Sequence, residues 1–130
     1  LGVMGRSLGS ASAIELASTR PADIDFLIVE SGFSHTEKLL KVLGIDPGAV
    51  GCNISPGCEN HGKIGHWSGP LLVIHGEFDQ LISFSQGKAL FDACPSLEKT
   101  LVKIPGANHN DIFIKGLDLY MQAVKTLIMQ

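Results

Sequence analysis

The chain has 130 residues, a formal net charge of −3 and 45% hydrophobic residues, as expected for one soluble globular domain. It contains no basic run, which argues against nucleic acid or an anionic membrane surface as the main partner. No apolar run approaches the roughly 20 residues that a membrane-spanning helix needs. The chain has three cysteines, an odd number, and its start does not look like a signal peptide. Both observations favour a reduced, cytoplasmic location.

Apolar runs of strand length alternate with helical patterns along the chain. This alternation predicts an α/β domain with a mostly parallel sheet of about four strands and flanking helices. One domain is expected to cover residues 1–130. The predicted elements are a strand at 1–4, a helix at 10–18, a strand at 24–30, a short helix at 36–45, a strand at 69–76, a helix at 84–95, a strand within 97–106, and a helix with its apolar face at Phe113, Leu117, Tyr120, Val124, Leu127 and Ile128.

Residues 32–67 interrupt the alternation and predict a small cap-like excursion, loop-rich in its second half. The excursion contains Cys52, Cys58, His61 and His66, which together could suggest a zinc site. Their spacing, C-x5-C-x2-H-x4-H, differs from that of the common structural zinc sites. We therefore expect no metal and no other cofactor.

Ser7 lies in the stretch GRSLGS, where a predicted strand runs directly into a predicted helix. A Gly-x-Ser-x-Gly pattern in this context indicates a nucleophile elbow. A Cβ atom at Gly5 or Gly9 is expected to crowd the sharp turn. The backbone N–H of Leu8, at the amino end of the helix, would donate a hydrogen bond to a developing oxyanion. The alternative for Ser7 is a helix N-cap, and the five residues alone leave both interpretations open.

A serine hydroxyl needs a base, and His109 in PGANHND follows the last predicted strand. Asp79 in HGEFDQLI follows the third strand and would orient the imidazole. The carboxyl ends of parallel strands meet at one edge of a sheet, so these residues are expected to lie near Ser7. Singly, they could be a loop-capping aspartate and a solvated histidine. Glu30, after the second strand, is the alternative acid.

The segments GRSLG, HGEFDQLI and GANHNDI resemble the corresponding motifs of the α/β-hydrolase superfamily. The resemblance covers nearly the whole chain but only the second half of the usual fold. The pattern HGxxDxxIxFSxGxALFxxCP, followed by HNDI, is similar to a subgroup that includes the serine depalmitoylases and their bacterial relatives. Within it, ESGFSHTEKLLKVLGID favours a bacterial serine hydrolase.

The resemblance implies a role for each matching residue. Ser7 would be the nucleophile, His109 the general base and then acid, and Asp79 the orienting carboxylate. Leu8 would supply one oxyanion N–H. The implied reaction is hydrolysis of a small-molecule carboxylic ester or thioester through an acyl-enzyme, without a cofactor.

The usual fold begins with further strands, and the loop after its third strand supplies a second oxyanion donor. No residue of this chain corresponds to them, so we expect a fragment of a longer hydrolase or a homodimer that covers the first strand. The alternative function is a non-catalytic hydrolase fragment that acts as an interaction or structural module. A substrate pocket is predicted at Phe33, Leu81 and Ile82, with core packing as the alternative for the apolar residues of the excursion.

Overall fold

A parallel sheet of four strands, which lie side by side in sequence order, forms the centre of the computed structural model. The structure describes every residue from Leu1 to Gln130. The predicted fold class is confirmed, since helices flank this sheet. The strands are β1 (Gly2–Arg6), β2 (Phe26–Glu30), β3 (Leu71–Gly76) and β4 (Lys99–Ile104).

Helices connect the strands and close the chain. None of them combines the length and apolar character that crossing a membrane requires. The sequence pattern predicted four of the five helices within a few residues of their bounds and missed the shortest. The helices are α1 (Gly9–Thr19), α2 (Thr36–Val42), α3 (Asn60–Lys63), α4 (Phe84–Ala93) and α5 (Ile112–Ile128).

One face of the sheet packs against α1, α4 and the segment that precedes β3. Side chains alternate between the two faces of a strand, so the odd-numbered residues of β2 and β3 point to this side. Small residues such as Ala13 and Ala17 let α1 lie close to the sheet. The largest buried side chains on this face are Ile14, Leu27, Ile64, Trp67, Leu71 and Leu90.

The other face of the sheet packs against α5 alone. Ile28, Leu72, Ile74 and Ile104 of the strands contact Ile112, Tyr120 and Leu127 of the helix. The predicted apolar face of α5 is partly wrong. Phe113, Leu117 and Ile128 are 53%, 49% and 58% exposed. A kink at Gly116 breaks the helical periodicity between the first turn of α5, which carries Phe113, and the rest of the helix.

The excursion between β2 and β3 is held by polar contacts as well as by apolar packing. The buried carboxylate of Glu59 accepts hydrogen bonds from the N–H and the hydroxyl of Thr36, at 2.8 and 3.0 Å, at the start of α2. The Asn60 amide donates to the carbonyl of Phe33, at 2.9 Å. These contacts fix the loop that leaves β2 close to the carboxyl end of the sheet.

Strand β1 lies at the edge of the sheet and pairs with β2 alone. The sequence pattern predicted an apolar strand at 1–4, and its residues Leu1 and Met4 are 74% and 50% exposed. The backbone groups on the outer side of β1 have no neighbouring strand, so this edge is open to pairing.

Candidate active site

The turn after β1 presents Ser7 at the carboxyl end of the sheet. Ser7 has a φ of +53°, the left-handed conformation that an L-residue adopts only when its surroundings enforce it. A Cβ atom on Gly5 would lie 2.5 Å from the carbonyl oxygen of Gly9, so only glycine fits there. The same expectation for Gly9 is wrong, because a Cβ atom there would meet nothing within 4 Å.

Three side chains predicted from the sequence lie in one hydrogen-bonded line. The Oγ of Ser7 is 2.9 Å from Nε2 of His109. The other ring nitrogen of His109, Nδ1, is 2.7 Å from Oδ2 of Asp79. Since the carboxylate can only accept, Nδ1 carries the proton and Nε2 is free to accept from the Ser7 hydroxyl.

The loop after β3 fixes the orientation of Asp79, whose side chain is fully buried. Its Oδ1 accepts hydrogen bonds from the backbone N–H groups of Leu81 and Ile82, at 3.0 and 2.8 Å. The carboxylate is thereby held with Oδ2 toward His109, so the acid and the imidazole are aligned before any substrate binds.

His75, in β3, supports this loop from within the core. Its Nε2 donates to the carbonyl of Ile82 at 2.7 Å and is 3.5 Å from Oδ2 of Asp79. Burial lowers the pKa of His75 because a charged imidazole would lose its hydration. Its Nδ1 has no partner and faces Gly87, where an added Cβ atom would lie 2.4 Å away.

Glu30, the alternative acid, does not contact His109. Its buried carboxylate accepts hydrogen bonds from Nε of Arg6, at 3.0 Å, and from the hydroxyl of Tyr120, at 2.8 Å. Burial and the contact with Glu30 raise the pKa of the Tyr120 hydroxyl. The acid that contacts the imidazole is therefore Asp79.

The amino end of α1 lies directly after Ser7. The N-cap position is Leu8, and no side chain caps the helix, so the hydroxyl of Ser7 does not serve as its N-cap. The N–H of Leu8 donates no hydrogen bond within the chain, whereas those of Ser10 and Ala11 donate to the carbonyls of Ser7 and Leu8. The Leu8 N–H is therefore available to an external acceptor.

A cavity of about 410 Å³ adjoins His109, and a larger one of about 940 Å³ lies at the opposite end of the sheet. Of the three predicted pocket residues, Leu81 lines the cavity at His109. Phe33 and Ile82 are buried in a small apolar cluster with Leu39. The residues around the cavity at His109 are Gln80, Leu81, Asn108, His109, Asn110 and Asp111.

The cysteines and histidines of the excursion are not arranged as a metal site. No three histidine, cysteine, aspartate or glutamate side chains of the chain form a group that could hold a metal ion. His61 instead stacks on His35, with ring centroids 5.0 Å apart. All three cysteines are free thiols.

Comparison with curated proteins finds relatives that are similar in sequence, although no protein-family model matches the chain. The alpha/beta hydrolase domain-containing protein aho-3 of Caenorhabditis elegans is 29% identical over 127 residues, which are 95% of this chain and 34% of that protein. The human alpha/beta hydrolase domain-containing protein 17B is 38% identical over 71 residues, 55% of this chain and 24% of that protein. The chain thus spans about a third or less of the length of these relatives.

Solved structures share the fold. Est1E from Butyrivibrio proteoclasticus superposes with a TM-score of 0.79 at 21% identity, over 98% of this chain and 59% of that one. A monoacylglycerol lipase from Paleococcus ferrophilus superposes with a TM-score of 0.71 at 20% identity, over 97% of this chain and 67% of that one. The narrower resemblance to the serine depalmitoylases is not confirmed by these comparisons. The proteins that are similar to this chain in sequence and in fold confirm the resemblance to the α/β-hydrolase superfamily, and the chain has the fold of that superfamily.

Proposed function

We propose that the chain carries the catalytic centre of a serine hydrolase, which cleaves a carboxylic ester or thioester through an acyl-enzyme on Ser7. The observation that supports this function is the continuous hydrogen-bonded line from Asp79 through His109 to Ser7, at 2.7 and 2.9 Å. A hydroxyl becomes an effective nucleophile when an adjacent base removes its proton during attack.

In the proposed reaction, the Oγ of Ser7 attacks the carbonyl carbon while Nε2 of His109 accepts its proton. The buried Asp79 carboxylate stabilises the imidazolium that forms. The Leu8 N–H donates to the oxyanion of the tetrahedral intermediate. His109 then returns the proton to the leaving alcohol or thiol, and a water molecule hydrolyses the acyl-enzyme by the same steps.

The cavity at His109 supports a polar leaving group. His109 must lie beside the leaving atom in order to protonate it, so the adjoining cavity is where the rest of that group would sit. Its walls are mostly amide and carboxylate side chains, with Leu81 as the one apolar residue. We place Leu81 at the boundary with the acyl group and Phe33 and Ile82 in the layer beneath it.

The relatives give further support to an ester substrate. One solved structure of the same fold is described as a monoacylglycerol lipase and another as an esterase domain from Rhodothermus marinus. A thioester, and a place among the bacterial relatives of the serine depalmitoylases, remain proposals that the motifs of the sequence support.

The second candidate function is a non-catalytic interaction module. The open edge of β1 favours it, because the unpaired backbone groups of an edge strand are free to pair with another polypeptide. A further polypeptide segment or a second copy of the chain would then cover β1. Size-exclusion chromatography with light scattering distinguishes a monomer from a dimer.

Covalent labelling by a fluorophosphonate probe tests the proposed function. Wild-type protein is expected to be labelled, and both Ser7→Ala and His109→Ala should abolish labelling. Matched controls are Ser18→Ala, at a serine whose hydroxyl bonds only to the carbonyl of Glu15, and His66→Ala, at an exposed histidine. Labelling that persists in Ser7→Ala would contradict the proposal, and a wild-type protein that is folded but unlabelled would favour the interaction module.

A series of esters then defines the substrate. Acetyl to octanoyl esters that share one leaving group report on the acyl pocket. Glyceryl and ethyl esters of one acid report on the cavity at His109, and we expect the glyceryl ester to have the lower KM. Gln80→Leu should remove this preference, because Gln80 lines the cavity and makes no hydrogen bond within the protein.

A further inference from the structure

Arg6 directly precedes the proposed nucleophile Ser7 in the chain and also hydrogen-bonds to His109. It therefore joins the two residues by a route other than their direct contact. Its Nη2 donates to the backbone carbonyl of His109 at 2.7 Å. Its Nε donates to the carboxylate of Glu30 at 3.0 Å. A single guanidinium therefore links the carboxyl ends of β1 and β2 to the loop that carries the base.

The position of the Arg6 guanidinium is itself fixed. Glu30 is only 2% exposed, and its second carboxylate oxygen accepts the Tyr120 hydroxyl from α5 at 2.8 Å. A planar guanidinium that bonds through two different nitrogens has little rotational freedom. Residues of β2 and α5 thus hold the guanidinium that contacts the His109 carbonyl. Neither element contains Ser7, Asp79 or His109.

The loop around His109 has few other contacts with β1. Two of its hydrogen bonds are internal, from the N–H groups of Asn108 and Asn110 to the side chains of Asp111 and Asn108. Asp111 therefore braces this loop with its carboxylate. Apart from the Ser7–His109 contact itself, the Arg6 guanidinium supplies the hydrogen bonds between this loop and β1 with the turn that follows it.

We propose that Arg6, held in place by Glu30 and Tyr120, is a positioning residue that sets the distance between Oγ of Ser7 and Nε2 of His109. The inference rests on the proposed function, because it assigns a role within the same site. Arg6 makes no hydrogen bond to Oγ of Ser7 or to the ring of His109. Its effect reaches the reaction through the backbone of the residue that supplies the base.

Two variants test this role without leaving a buried charge unpaired. Removal of Arg6 alone would strand the Glu30 carboxylate, which destabilises a fold strongly. Arg6→Lys keeps a cation beside Glu30 but cannot reach both acceptors with the geometry of the guanidinium. The double variant Arg6→Gln with Glu30→Gln removes both charges together. Arg20→Gln is the matched control, because Arg20 pairs with Asp23 on the exposed surface.

The first measurement, amide hydrogen exchange of residues 107–112, needs no catalytic activity. We expect exchange roughly 10-fold faster in both test variants, because a charge-assisted hydrogen bond that holds the loop is lost. Exchange in Arg20→Gln should match the wild type. The melting temperature of Arg6→Lys should stay close to that of the wild type, which separates loop release from general unfolding.

The second measurement is the rate of fluorophosphonate labelling as a function of probe concentration. The limiting rate constant should fall roughly 10-fold in both variants, while the concentration at half-maximal rate stays unchanged. Unchanged loop exchange in Arg6→Lys and in the double variant would overturn the positioning role, whether or not the protein is labelled. A wild-type protein that is not labelled would instead count against the proposed function and leave the exchange result to decide the role of Arg6.

Discussion

Ser7 and Ser31 directly follow the neighbouring strands β1 and β2 and have the same left-handed backbone, at φ values of +53° and +49°. They follow Arg6 and Glu30, which are paired in the register of β1 and β2. Only one of the two hydroxyls has a partner. The Oγ of Ser7 contacts His109, whereas that of Ser31 is fully buried and makes no hydrogen bond.

Ser31→Gly should stabilise the protein by about 1 kcal/mol. Glycine adopts a positive φ without the cost of about 1–2 kcal/mol that an L-residue bears, and its greater freedom in the unfolded state offsets part of that gain. Urea unfolding measures the difference. Ser31→Ala is the control, because it removes the unpaired hydroxyl and keeps the strained backbone. A glycine variant less stable than the alanine variant would contradict this account.

Gly5→Ala and Gly9→Ala should have opposite outcomes although both lie in the same turn. At Gly5 the new Cβ atom would lie 2.5 Å from a backbone oxygen and 2.6 Å from the Cβ of Ala13, neither of which can rotate away. We expect a loss of about 2 kcal/mol or more in the free energy of unfolding. Gly9→Ala meets open space at the start of α1 and should be neutral or stabilising by up to about 1 kcal/mol. Equal losses in both variants would argue against this local geometry.

The buried His75 should make stability depend on pH in the acidic range. Its folded pKa is lowered from 6.5 by burial, so below about pH 6.5 the unfolded chain binds a proton that the folded chain does not. The contribution of neutral His75 to the free energy of unfolding is therefore fully present above this pH. It is lost as the pH falls, by at most about 1.4 kcal/mol per pH unit. Urea unfolding from pH 7.5 to 5 measures the slope.

Replacement of His75 by an uncharged residue should flatten that slope. His75→Gln removes the titrating group and keeps a side chain able to donate to the Ile82 carbonyl. An exposed histidine offers the matched control, and His66→Gln should leave the pH dependence unchanged. The same slope in His75→Gln and in the wild type would show that another group is responsible.

The cysteines should differ sharply in their reaction with iodoacetamide. Cys58 is exposed, whereas Cys94 is buried and its thiol is 3.2 Å from the carbonyl of Trp67. Burial raises the pKa of the Cys94 thiol, which lowers the fraction of reactive thiolate. Mass spectrometry of the native protein should find Cys58 alkylated at neutral pH and Cys94 modified only after unfolding. Equal modification rates would indicate that the end of α4 opens readily.

The sheet and the meeting of Ser7, Asp79 and His109 could be predicted from the sequence. Continuous apolar runs bounded by glycine and proline locate parallel strands buried on both faces. Each of the three residues lies in the turn or loop that follows a predicted strand, and the carboxyl ends of parallel strands lie together. The three residues thus meet because of where the strands lie, and the apolar runs of the sequence are enough to locate the strands.

Features that depend on long-range contacts could not be predicted in this way. The kink at Gly116 leaves Phe113 exposed although its spacing fits the apolar face. The contact of Arg6 with the backbone of His109 joins residues 103 positions apart, and an arginine before a serine gives no signal for such a partner. The short helix α3 carries no apolar repeat, and its polar contacts with the loop after β2 define it instead.

The distance along the chain between Ser7 and His109, 102 positions, has a consequence for how the chemistry depends on folding. Closing a loop of that length costs conformational entropy that only the packed sheet can offset, so an unfolded chain keeps its serine but lacks a base beside it. If Ser7 is the nucleophile proposed above, covalent labelling counts native molecules. The extent of labelling would then measure the fraction of molecules that are folded, in a cell extract as well as in a purified sample.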